Sequence, residues 1–140
     1  MKKTIVAAGL LALAAVLAVF SQAPSTPKYQ AVFQLTEPQG EAWDMMVAHV
    51  TNLQKALGKD NVQVEVVFFG PGLNMILKKN SAYEERLKQL ADNGVTLAAC
   101  QNAMRFLNVK TEDLFPFTTQ VDSGVAELVR KQKAGWQYIH

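Results

Sequence analysis

The sequence predicts an α/β protein built on a mainly parallel sheet of about five strands, with helices on both faces. Three observations predict it. Runs dense in β-branched and aromatic residues alternate with runs whose apolar residues recur at helical spacing. Breaker residues (Gly58, Gly70-Pro71-Gly72, Asn93-Gly94 and Gly135) fall where the pattern changes. The alternation fills ~115 residues, the length of one small domain, and strands joined through helices run parallel with right-handed crossovers.

Each element has its own signal. Tyr29 to Leu35 is a short β-rich run, predicted as the first strand. Gly40 to Leu57 carries Trp43, Met46, Val47, Val50, Leu53 and Leu57 on one helical stripe, and Gly58 ends it. Val62 to Phe69 has the β-branched and aromatic density of a largely buried strand. Gly70-Pro71-Gly72 breaks that strand, and Leu73 to Leu77 reads as a short helical piece. Ser81-Ala82-Tyr83-Glu84 has the form of a capping box opening a helix with Tyr83, Leu87, Leu90 and Ala91 inward. Val95 to Ala99 is the third strand, and Cys100 begins a helix through Leu107. Thr111 to Leu114 is one helical turn, and Phe117 to Val121 the fourth strand. Asp122 or Ser123 caps a last helix with Val125, Leu128, Val129 and Gln132 on one face. Gly135 ends it, and Trp136 to Ile139 is a short fifth strand.

The N-terminus has a different character. Met1-Lys2-Lys3 precedes an almost wholly apolar run from Thr4 to Phe20, the pattern of a secretory signal. Residues 1–23 are expected to be that signal, with an ambiguous cleavage site, and residues 24–28 a flexible leader to the domain at residues 29–140. The run is at the short limit for spanning a bilayer, so an uncleaved anchor is the alternative. Either way the domain is expected outside the cytoplasm, in the periplasm, and free of the membrane once the signal is removed.

Composition excludes several functions. The formal charge of +2 comes from Lys2 and Lys3, and from Gln22 onward basic and acidic residues balance. A neutral body lacks the basic patch that nucleic-acid binding requires. One cysteine excludes an intramolecular disulfide and a multi-cysteine zinc site. With only two histidines, no metal and no bound cofactor are expected.

Ligands of open parallel sheets sit at the carboxyl ends of the strands. The loop after the second strand, with Gly70, Gly72 and Asn74, lacks the Lys-Ser/Thr of a phosphate loop and does not fit Gly-x-Gly-x-x-Gly. Cys100, followed by Gln101 and Asn102, occupies another such loop. At a helix start, backbone N–H groups and the helix dipole stabilise a thiolate or persulfide anion. A buried cysteine that merely packs is an equally good reading of the same placement. His49 flanks the first helix's stripe and His140 is terminal, and nothing in the sequence brings either to Cys100. A small neutral body rich in Phe, Met and Trp is expected to bury apolar surface in a homo-oligomer.

Three segments together resemble the DsrE/DsrF-like family. They are Val66-Val67-Phe68-Phe69-Gly70-Pro71-Gly72-Leu73, then Asn93-Gly94-Val95-Thr96-Leu97-Ala98-Ala99-Cys100-Gln101-Asn102, and the tail from Ser123 through Gln132 with Gly135-Trp136-Gln137-Tyr138-Ile139. The resemblance covers nearly the whole chain after the leader. It implies a Rossmann-like three-layer α/β sandwich and a trimer or hexamer. It further implies sulfur-relay chemistry, with Cys100 carrying sulfane sulfur as a persulfide between a donor and an acceptor protein. An exported member departs from the cytoplasmic relay proteins of the family. A non-catalytic oligomeric binding module, with Cys100 structural, is the alternative function.

Overall fold

A computed structural model describes residues 26–140. The expected signal at residues 1–23 and the first part of the leader lie outside the described residues. The chain runs β1 (Tyr29–Leu35), α1 (Glu41–Leu57), β2 (Val62–Phe68), α2 (Glu84–Asp92), β3 (Thr96–Cys100), α3 (Gln101–Phe106), β4 (Thr119–Val121), α4 (Gly124–Lys133) and β5 (Gln137–Ile139). Tight 3-10 turns fill Gly70–Ile76, Lys78–Tyr83 and Thr111–Asp113. The sheet is five-stranded, in the order β4-β3-β2-β1-β5, and every pairing is parallel. This is the α/β fold expected from the alternation. Among the described residues no helix is long and apolar enough to cross a membrane.

Side chains alternate across the strands, so the sheet feeds two cores. Phe33 and Leu35 of β1, Val64, Val66 and Phe68 of β2, and Leu97 of β3 face α1, α2 and α3. Val32 and Val67 face the other way, against Leu128 of α4 and Trp136. The first core holds most of the buried apolar side chains; the second lies under α4 alone. Trp43 anchors α1 to the first core and donates its indole N–H to the Glu37 carbonyl at 2.9 Å, which fixes the loop leaving β1.

Three local expectations are corrected. The capping box at Ser81 does not form: Tyr83 precedes α2 with no side-chain cap. The 3-10 turn Lys78–Tyr83 runs straight into α2, and the Glu84 N–H, which the Ser81 hydroxyl would have served, bonds to the Ser81 carbonyl instead. Gln54, outside the predicted stripe of α1, is buried, because its amide reaches the Asn93 carbonyl at 3.0 Å.

The third correction concerns α4. Leu128 is buried as expected, but Val125 and Val129 are 61% and 60% exposed. The packed line of α4 runs through Gly124, Leu128 and Lys131 instead. Lys131 meets Glu65 of β2, a buried carboxylate, with Nζ to Oε2 at 2.6 Å, and its ammonium lies 4.0 Å from the Trp136 ring centre. An unpaired carboxylate in the core is expensive, so the pair sets the rotation of the helix.

Burial raises the Glu65 carboxyl above its ordinary value of 4.5, against the opposing pull of Lys131. A carboxyl raised by folding favours the native state at low pH, and that contribution is lost as pH climbs above 4.5 through the raised value. Stability curves for wild type and Glu65→Gln are therefore expected to diverge in the variant's favour as pH rises from 4.5 toward neutrality. A constant difference over that range would contradict the burial of the charge.

Candidate functional site

Cys100 is the last residue of β3 and the residue that caps α3. Its partner on β4 is Val121, and Ala99 beside it pairs with Phe68 of β2. The chain leaves β3 toward the first face, where Ala103, Met104 and Leu114 join the larger core. It leaves β4 toward the opposite face, where Leu128 of α4 packs. Adjacent strands whose exits diverge open a crevice between their carboxyl ends, the common ligand position in such sheets. Cys100 stands at that crevice.

Two backbone N–H groups donate to its sulfur, from Gly124 at 3.1 Å and from Ala103 at 3.5 Å. They belong to the first turns of different helices, so the donors converge from both sides of the crevice. Cys100 is 4% exposed and lines a cavity of about 280 Å³. Phe69, Ala103, Phe106, Leu107 and Val125 make that cavity largely apolar, with Asn102 and Ser123 as its polar members. Among the described residues no Asp, Glu, His, Lys or Arg side chain lines it. Two amide donors thus face the sulfur, and apolar walls keep water scarce around it.

The turn at Asp122 and Ser123 that delivers Gly124 is held from outside. Arg130 grips the Asp122 carboxylate with two bonds of 2.8 Å and depresses its pKa to about 2. The Ser123 hydroxyl caps α4 by accepting from the Ala126 N–H at 3.4 Å. Gly124 must lack a side chain, since a Cβ there would stand 2.8 Å from the Phe69 ring. Close approach of ring and helix start is what aims the Gly124 N–H at the sulfur.

The other residues singled out in the sequence divide. Gly70, with a positive φ of 53°, and Asn102 line the Cys100 cavity. Gly72, Asn74 and Gln101 do not. Gly72 packs on the backbone leaving β1, Asn74 donates to the Pro71 carbonyl at 3.0 Å, and Gln101 donates to Gln120 at 3.3 Å. The Asn102 side-chain oxygen accepts from Arg105. His49 and His140 line a separate cavity, so neither sits beside the thiol. Sequence reasoning missed Phe69, Gly124 and Val125. Ser123-Gly124 was visible as a helix start after a strand, but its approach to Cys100 is a tertiary fact.

The chain matches the sequence profile of the DsrE/DsrF-like family over residues 14–140. It belongs to the DsrE/DsrF-like family. Solved structures agree with that membership. A protein of unknown function from Methanobacterium thermoautotrophicum superposes with a TM-score of 0.75 at 32% identity, covering 79% of this chain and 97% of that one. A conserved protein of unknown function from Bacteroides thetaiotaomicron (TM-score 0.64, 14% identity, 79% and 92% covered) shares the fold. So does the ychN protein from E. coli (TM-score 0.64, 12% identity, 81% and 98% covered). No curated protein matches the chain. The expected Rossmann-like DsrE fold is therefore the fold of this protein.

Proposed function

We propose that this DsrE-like protein is a sulfur carrier whose Cys100 holds sulfane sulfur as a persulfide. The observation that carries the reading is the pair of N–H groups converging on a sulfur that closes the floor of an apolar cavity. Loading needs no oxidant. The Cys100 thiolate attacks the outer sulfur of a donor persulfide, R–S–S–H, forming a new S–S bond as the donor's own S–S bond breaks. The donor leaves as the thiol R–S–H, and Cys100 retains the persulfide anion. The same two amides then face negative charge displaced by one sulfur into the cavity. The lack of a lining acid or base fits a group that stores and passes sulfur, and does not fit a Cys-His hydrolase.

The donor and acceptor are proposed to be proteins that dock at the rim. Phe106, 85% exposed, stands there with Val125, and Val129 lies one turn further along α4. A trimer or hexamer is the proposed assembly, with part of this apolar surface buried between copies. Export is proposed from Lys2, Lys3 and the apolar run to Phe20. The second reading, a non-catalytic oligomeric module, draws its support from the near-complete burial of Cys100.

Alkylation by iodoacetamide separates the two readings. The carrier reading expects Cys100 to label in the folded protein, and to label more slowly in Gly124→Ala, where the added methyl displaces Phe69 or the amide donor. Labelling only after unfolding would make Cys100 a packing residue.

A further inference from the structure

A second cavity, of about 440 Å³, opens at the carboxyl ends of β1 and β5 against α1. It shares no lining residue with the cavity at Cys100, so sulfur chemistry does not account for it. Its volume is in the range that small organic ligands occupy. Phe33, Met45, Met46 and Ile139 give it an apolar floor. Its titratable lining is two carboxylates, Glu37 and Glu41, and both histidines of the chain, His49 and His140, with no lysine or arginine.

Glu37 is held in place by its neighbours. The Thr36 N–H and hydroxyl donate to the two oxygens of Glu37 at 3.0 and 3.2 Å, and that contact holds its carboxyl below the ordinary value. The backbone of Glu37 is in turn fixed by the Trp43 indole. Across the cavity His140 stacks on Tyr138, whose hydroxyl donates to Gln34 at 2.8 Å. Two carboxylates repel an anion. Among the described residues no three His, Cys, Asp or Glu side chains converge to hold a metal ion. An apolar floor beside two carboxylates complements an organic cation.

We propose that this cavity binds a small organic ammonium ion, an alkylamine or arylalkylamine. Its apolar body lies against Phe33, Met45 and Met46, and its charged head meets Glu37 and Glu41.

The test uses the full chain with 13C-labelled methionine methyls and phenethylammonium as probe. Met45 and Met46 report on the cavity, while Met75 and Met104, buried in the core, are internal controls. Saturable movement of the Met45 and Met46 signals alone is expected, with a dissociation constant of about 1 mM for so small a ligand. Glu37→Gln is expected to weaken it about tenfold, with the control signals unmoved to show an intact fold. Phenylacetate, of similar shape and opposite charge, is expected to leave all four signals in place. Absence of saturable movement overturns the proposal. So does equal response to phenylacetate, equal movement of Met75 and Met104, or unchanged binding by Glu37→Gln.

Discussion

Alanine at Gly72 is expected to cost about 3 kcal/mol or more of folding stability, since an added Cβ meets its nearest neighbour more closely there than at any other glycine among the described residues. A Cβ there would stand 2.2 Å from the Leu35 carbonyl oxygen and 2.6 Å from its carbon. Both are backbone atoms at the end of the interior strand β1, so no side-chain rotation relieves the clash. The same junction is tied by the Phe69 N–H to the Leu35 carbonyl at 3.2 Å and the Gly72 N–H to the Thr36 carbonyl at 3.1 Å. Moving the turn breaks these bonds and pulls Leu73, fully buried, out of the core. A domain of this size has a total stability of about 5–15 kcal/mol, so the midpoint of thermal unfolding should fall by at least about 10 °C. A variant that melts with wild type would show that the turn is not packed on β1 as described.

The second large effect is functional. Cys100→Ser is expected to abolish sulfur loading and leave the fold intact. The serine oxygen remains able to accept from the Gly124 and Ala103 N–H groups, so stability should change by about 1 kcal/mol or less. Cys100→Ala removes the acceptor as well and strands a buried N–H, which costs about 1–3 kcal/mol. That ordering, serine close to wild type and alanine below both, is a signature of the amide–sulfur contacts read by denaturant unfolding. Alanine as stable as serine would mean that the contacts contribute nothing.

The main elements were legible because short-range patterns decide them. The β-rich run from Tyr29 to Leu35 is β1 to the residue, and the stripe from Trp43 to Leu57 lies within α1. A run dense in β-branched residues such as Val62 to Phe68 announces a largely buried strand, as an interior strand of a parallel sheet must be. The rotation of α4 was not legible. Its apolar pattern points through Val125 and Val129, but a long-range ion pair between Lys131 and Glu65 turns those residues outward. No window of the sequence contains both partners.

The candidate site was legible by half. Cys100 stands at a strand end and a helix start, both readable locally. The other half, Phe69 and the Gly124 amide, reaches the sulfur only because β2, β3 and β4 are neighbours in the sheet. Glycines illustrate the same limit. Gly70 and Gly72 look alike in the sequence, yet one borders the Cys100 cavity and the other is pressed against the backbone of β1.

The proposed carrier function requires Cys100 to hold an extra sulfur atom, and intact mass measures that directly. Protein exposed to a low-molecular-weight persulfide and freed of excess is predicted to gain one sulfur atom that cyanide removes, with no gain in Cys100→Ser. Wild-type protein that stays at its unmodified mass after the same exposure, while its unfolded form takes up the sulfur, would contradict the carrier function.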